Sequence, residues 1–191
     1  MKPLPPSRYA PSGRAAAPSR ETMGPVARAM YDRSLELFGG EGGPRMPLLH
    51  TPDIADAWGR IGLAIITSPL PARYRELAII TVAAFWQAEM EWLMHASEAL
   101  DQGIDPVAIE AIRLGDAPVF TEEGDTTIYR YVDELQREHR VSDEVYVAAR
   151  VLLGDAGLVA LTVAIGHFTN VAMTLRAHAL SIPDDCAKAF E

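Results

Sequence analysis

Glu91 and His95 stand four residues apart, with Glu98 three further on. On a helix those steps stack all three side chains on one face. A neighbouring carboxylate favours the charged imidazole and burial disfavours it, and the balance can bring a histidine into the range that general acid-base chemistry needs. Glu76, one element earlier, supplies a further carboxylate. An isolated Glu-x-x-x-His is equally the pattern of a solvated helix face. Its neighbours weigh against that: Phe85, Trp86, Met90, Trp92 and Met94 put at least part of the face in a dry cleft, although most of these side chains read as core. Trp86 and Trp92 are candidate substrate contacts. Arg73 and Arg75, just before Glu76, could draw a substrate carboxylate, with surface ion pairing the competing role for at least one of them. His167, Asn170, Thr174 and His178, at steps of 3, 4 and 4, make a polar stripe on an otherwise apolar helix. If buried, such a stripe must find partners. It either roofs the site, with His167 as a substrate contact, or meets another subunit, and the subunit contact is favoured.

Other chemistries lack their residues. There is no G-x-S-x-G, H-E-x-x-H, Walker loop, EF-hand loop or dinucleotide fingerprint. Glu76, Glu91 and His95 could together hold Mn, Fe or Zn. One histidine is thin for a catalytic zinc site, so no metal is assigned. Cys186 is the only cysteine, which excludes a disulfide or a C-x-x-C redox pair within one chain.

The elements that must position these residues are helical. Helix periods run from Gly24 through Val26, Met30, Leu35 and Phe38, and from a Thr51 or Asp53 cap through Ala55, Trp58, Ile61 and Ile65. Gly39, Gly40, Gly42 and Gly43 between them read as a flexible linker. Residues 72–100 contain no Gly or Pro and form one long helix or two joined near Trp86 and Gln87. Short helices follow at 105–114 and around 126–138, another starts at a Ser142 cap, and a last one spans roughly 156–181 until Pro183. No stretch has the period of a strand. The expected fold is all-α.

With 191 residues the chain suits one domain, read as 23–183, with a flexible arm at 1–22 and a tail at 184–191. The arm has five prolines in its first 18 residues and no apolar run of the signal-peptide kind, which points to a cytoplasmic protein. It either stays disordered or lies across a neighbouring subunit. A net charge of -9 argues against nucleic acid or an anionic membrane as partner. Residues 157–175 have the length of a membrane span, but His167, Asn170 and three threonines interrupt them, so they are read as a core helix.

The segment RELAIITVAAFWQAEMEWLMHASEALDQGIDPVAIEAIRLGD, Arg75 to Asp116, resembles the carboxymuconolactone decarboxylase and alkylhydroperoxidase D superfamily. It carries that superfamily's R-E-L, apolar helix, E-W-x-x-H turn, A-x-x-x-G and I-x-x-I-x-x-G finish. The likeness is strong over these residues and looser from Trp58 to Tyr131. It implies an all-helical protomer assembling as a trimer or hexamer, with the active site between the helix bearing Glu76 and the helix bearing His95. For that reason the long stretch is broken near Gln87. In the hydroperoxidase branch a C-x-x-C begins the second helix; Ala88 and Glu91 occupy those positions here, while Glu76 and His95 match the residues that assist it. The decarboxylase branch needs no thiol, and its Glu four residues before the His is matched by Glu91. Glu76, however, is more typical of the hydroperoxidases.

The resemblance and the residues together lead to a cofactor-free lyase or isomerase acting on a small carboxylated lactone or keto acid. His95 is the acid-base, Glu91 holds it, and Glu76 orients it or a water from across the cleft. Two alternatives stand beside this: a catalytically silent oligomeric scaffold of the same fold, and residual peroxide reduction through Cys186.

Overall fold

The computed structural model describes Arg14 and residues 17–38, 43–180, 182 and 187–190, without the side chains of Leu37 and Phe38. Cys186 and the linker glycines Gly39, Gly40 and Gly42 lie outside these residues. The described residues form helices and no strand: α1 (Pro25–Phe38), α2 (Arg45–Leu48), α3 (Pro52–Ile66), α4 (Ala72–Trp86), α5 (Glu89–Asp101), α6 (Pro106–Leu114), α7 (Glu123–Arg137) and α8 (Asp143–Ala177). The all-α expectation is met.

α4 is the axis of the molecule. Its residues 76–83 are all buried, and α5, α6, α7 and α8 pack around it. This is why its sequence is apolar nearly all round and shows no one-sided pattern. α3 closes the assembly by packing on α8. A separate small cluster, Met23, Ala27, Tyr31, Met46 and Leu49, joins α1 to α2. Val26 falls outside it and is exposed.

Four helices end in the same hydrogen-bonded motif, in which a left-handed residue lets two amides reach back to the last turn. At α4 the amide of Ala88 donates to Ala83 O (2.8 Å) and that of Gln87 to Ala84 O (3.0 Å). Gly103 and Gly115 hold the left-handed position after α5 and α6, where glycine pays no Cβ penalty. Gln87 (φ 50°) and Ala179 (φ 52°) hold it after α4 and α8 without that advantage. The α8 motif, with Leu180 donating to Leu175 O, ends the last helix at Ala177, four residues short of the expected 181.

Two junctions differ from expectation. The helix from Ser142 and the last helix run together as α8, broken at Gly154, whose φ 66° and ψ 173° belong to no helix. Ser142 and Thr51 stand at N-caps but make no side-chain capping bond; Ser142 instead donates its amide to Glu134 Oε2 (2.8 Å). Asp105 does cap, taking the amide of Val107 at 2.8 Å.

Both chain ends are engaged where they are described. Arg20 forms a two-pronged ion pair with Asp32 of α1 (2.9 and 2.8 Å), so the last part of the expected arm folds back on its own chain. Near the carboxyl end, the amides of Ala189 and Phe190 donate to the Glu89 carboxylate (2.8 and 2.6 Å), and the Phe190 ring meets Trp92 edge-on.

Candidate functional site

The α4–α5 turn at Gln87 folds α5 back along α4, and this brings Glu76 and His95 together although 19 residues separate them. Glu76 Oε2 lies 2.7 Å from His95 Nδ1, with both side chains buried. Arg75 Nε donates to the other oxygen, Oε1, at 3.0 Å. Burial raises the Glu76 pKa, but the His95 hydrogen bond and charge and the adjacent Arg75 outweigh it, and the carboxyl sits below its ordinary range. An ionised carboxylate only accepts, so Nδ1 carries the proton of this bond and Nε2 is the nitrogen left for exchange.

Glu91 does not hold His95, contrary to the expectation from spacing. Sharing a helix face brings Cβ atoms near each other, but it does not orient the carboxyl groups. Both Glu91 oxygens are without a hydrogen-bond partner among the described residues, and the residue is 2% exposed. Burial pushes this carboxyl well above its usual range, so it is a neutral acid with a proton to donate.

These three residues share the wall of a cavity of about 250 Å³ that also draws on α2, α3 and α8. An aromatic row crosses that wall. The His95 ring stands edge-on to Phe168 (5.3 Å between centroids), Phe168 to His167 (5.3 Å), and His167 lies 4.8 Å from Trp58. Trp58 Nε1 donates to Asn170 Oδ1 (3.0 Å), tying α3 to α8. The Arg45 guanidinium lies over the Trp58 ring, 5.8 Å from its centroid. His167 is pushed below the usual histidine range by burial and then by the charge of Arg45, which keeps its ring neutral. Gly62 makes room for it: a Cβ there would come within 3.3 Å of His167 Nε2.

The other expected site residues divide. Arg75 and His167 line the cavity, so His167 joins the roof of the site. Thr174 donates to Asn170 O and His178 caps the end of α8, so the polar stripe does not act as one surface. Arg73, Trp86 and Trp92 are absent from the cavity wall. Arg73 turns to Asp125 (2.9 and 2.5 Å) and Gln102 O (2.8 Å), neutralising a carboxylate that is 2% exposed. Trp86 packs on the core beside Phe85, and Trp92 is sealed under Phe190. Arg73 and Arg75 are two residues apart, which on a helix turns their side chains about 200° from each other and separates Arg73 from Arg75's neighbourhood. Arg45, Gly62 and Phe168 were not singled out from the sequence: they come from three separate helices with no spacing that links them.

Residues 52–125 match the sequence profile of the carboxymuconolactone decarboxylase family. The fold matches solved structures of proteins with AhpD-like descriptions. Over residues 52–125 the chain is similar to the carboxymuconolactone decarboxylase family, and its fold is similar to that of AhpD-like proteins. One such structure is a protein of unknown function from Agrobacterium tumefaciens whose name links it to antioxidant defence and AhpD (TM-score 0.62, 19% identity, covering 72% of this chain and 96% of that one). Another is an uncharacterized peroxidase-related protein from Silicibacter sp. TM1040 (TM-score 0.71, 13% identity, 97% and 96%). A third is an alkylhydroperoxidase AhpD core, an uncharacterized peroxidase-related protein from Ralstonia eutropha JMP134 (TM-score 0.64, 13% identity, 92% and 95%). At these identities the likeness is one of fold. No curated protein matches the sequence. The match to the family profile contains Glu76, Glu91 and His95, whereas Arg45, His167 and Phe168 lie outside its span.

Proposed function

We propose that this protein is a thiol-independent lyase or isomerase that moves a proton on a small carboxylated lactone or keto acid, with His95 as the acid-base. The observation that carries this is the buried 2.7 Å pair of Glu76 and His95 in the cavity wall, beside a neutral Glu91. The Glu76 carboxylate fixes the tautomer and orientation of the ring. In decarboxylation the bond from carbon to the carboxylate breaks, CO₂ leaves, and the electron pair moves into the adjoining unsaturated system as an enolate. His95 Nε2–H then delivers the proton to carbon and recovers it from water. In isomerisation the same nitrogen removes a proton from one carbon and returns it to another. The Glu91 carboxyl donates a hydrogen bond to the enolate oxygen, as a buried neutral acid can. Such a protomer also pairs with copies of itself through the outer face of α8, where Val159, Val163 and Met173 are 63%, 46% and 47% exposed at helical spacing. We read that assembly as a trimer or hexamer, which is what the resemblance implies.

The test is turnover of a panel of carboxylated lactones and β-keto acids, followed by CO₂ release and by solvent deuterium entering the product. His95→Ala should lower the rate on a responsive substrate by about 10²- to 10⁴-fold. Unchanged turnover would overturn the acid-base role. The names of the peroxidase-related neighbours favour peroxide reduction as a second reading. Peroxide consumption that vanishes in Cys186→Ser would support it in place of the first.

A further inference from the structure

The polar groups of the cavity wall differ in whether the protein itself satisfies them. Arg75, Glu76 and His95 are bonded to one another. Glu91 and His167 line the same cavity and are 2% and 8% exposed, yet their side chains make no hydrogen bond among the described residues. Buried polar groups are ordinarily paired, so two of them in one cavity wall call for a ligand that supplies the partners. We propose, resting on the acid-base function above, that His167 is a specificity-determining residue: its imidazole N–H holds an uncharged carbonyl oxygen of a flat cyclic ligand, a lactone or enone, that lies against Phe168 within reach of His95.

The placement follows from the ring contacts. His95 and His167 each stand edge-on to Phe168 with centroids 5.3 Å apart, so the two imidazoles are separated by at most twice that distance. A five- or six-membered ring with its hydrogen bonds bridges such a gap. The His167 ring is also held in place for this role. Trp58 lies 4.8 Å from it, and the Trp58 indole is itself fixed to Asn170, three residues after His167, by a 3.0 Å hydrogen bond. This gives two members of the polar stripe of α8 a common purpose, with Asn170 anchoring the ring that packs on His167. The Nε2 edge of His167 lies 3.3 Å from where a Cβ on Gly62 would stand, and Gly62 lines the cavity, so the absence of a side chain there leaves that edge along the ligand space. The chemistry of the ligand follows from charge. Burial and then the charge of Arg45 lower the His167 pKa, and a neutral imidazole offers one N–H and one lone pair. Glu91, raised well above its usual range by burial, is uncharged as well. The bonding capacity that the wall leaves to a ligand at these two groups therefore suits uncharged oxygens, as in a lactone ring. His167 follows the residues that match the family profile, so this selectivity comes from outside the segment that holds the acid-base pair.

The experiment is calorimetric titration of the full-length protein with coumarin, a flat unsaturated lactone, and with 2H-chromene, the same ring system without the carbonyl oxygen. The infrared carbonyl stretch of bound, ¹³C-labelled coumarin is recorded in parallel. Coumarin should bind saturably and more tightly than 2H-chromene. His167→Phe, which keeps an aromatic ring and removes the donor, should weaken coumarin by about three- to tenfold, leave 2H-chromene unchanged, and raise the carbonyl frequency of the bound probe. His167→Gln, which keeps a donor, should restore part of both. Equal affinity for the two probes, no saturable coumarin binding, or wild-type affinity and carbonyl frequency in a folded His167→Phe protein would each overturn the contact. Should His167→Phe not fold, Gly62→Ala sets a methyl group against Nε2 from another helix and should lower the ratio of the two affinities; an unchanged ratio overturns the proposal. A failure of the acid-base role is read separately, as unchanged turnover in His95→Ala, whereas a failure of the oxygen contact is read in binding to His167 variants.

Discussion

Glu91 is a carboxyl group sealed from water with no partner among the described residues, and its proton is what makes that tolerable. In the unfolded chain the same group ionises near pH 4.3. Between that pH and its raised folded value, unfolding releases a proton, so stability falls as pH rises through this window. Below the window both states are protonated and the effect is absent. Glu91→Gln, which cannot ionise, should therefore gain on the wild type as pH rises from 4 to 7 in urea unfolding, with little difference at the acid end. A constant difference would mean that Glu91 is not held neutral. Arg73 is the opposite case. It neutralises the buried Asp125, so Arg73→Ala should destabilise the fold by about 3–5 kcal/mol through the stranded carboxylate. Because Arg73 is outside the cavity wall, the folded fraction should retain its turnover of a responsive substrate. The residue types of the acid-base set were legible in advance, but the pairing within it was not. Glu91 was assigned to His95 because they are four apart, and Glu76 took the ring instead, because the fold-back at Gln87 aims the Glu76 carboxylate at Nδ1.

At the level of elements, the helix boundaries carry their own strain and their own tests. Gly154 adopts a conformation that is essentially restricted to glycine and breaks α8 there. Gly154→Ala should destabilise by roughly 1–3 kcal/mol, read as a lower urea midpoint with an unchanged slope. Gln87, by contrast, occupies a left-handed cap where glycine is the favoured residue. Gln87→Gly should leave stability equal or higher by up to about 1 kcal/mol, which no glycine in a helix interior would do. The break at Gln87 also shows where composition runs out. Nothing in residues 72–100 marks a stop, and family resemblance rather than a Gly or Pro signal placed the turn there. Helix ends with glycine at the cap, at 103 and 115, were readable within a residue or two. The end at Ala179 was not, since alanine in the left-handed region is chosen by the packing of Leu180 against the core and not by its own preference.

For the whole molecule, the exposed face of α8 sets the expectation for assembly. By length and composition α8 could cross a membrane, and 33% of its most apolar window is buried in the protomer. Val147 and Val151, 58% and 83% exposed, extend the apolar face to the near side of the Gly154 break. If copies of the chain meet there, light scattering should give a multiple of 20.8 kDa, and Val159→Asp should lower it. A wild-type protein at 20.8 kDa would overturn the proposed self-association. By itself the sequence determined what is local or statistical: helices from a period of 3.6, no thiol pair, and a histidine and two glutamates set in apolar surroundings. Only the tertiary structure decided which of them touch. Helical spacing specifies a face, whereas a hydrogen bond requires two side chains from different elements to be aimed within tenths of an ångström, and that aim is set by how α4, α5 and α8 pack. The same packing joined Arg45, Trp58 and His167, which lie far apart in the chain, into one wall, and turned Arg73 away from it.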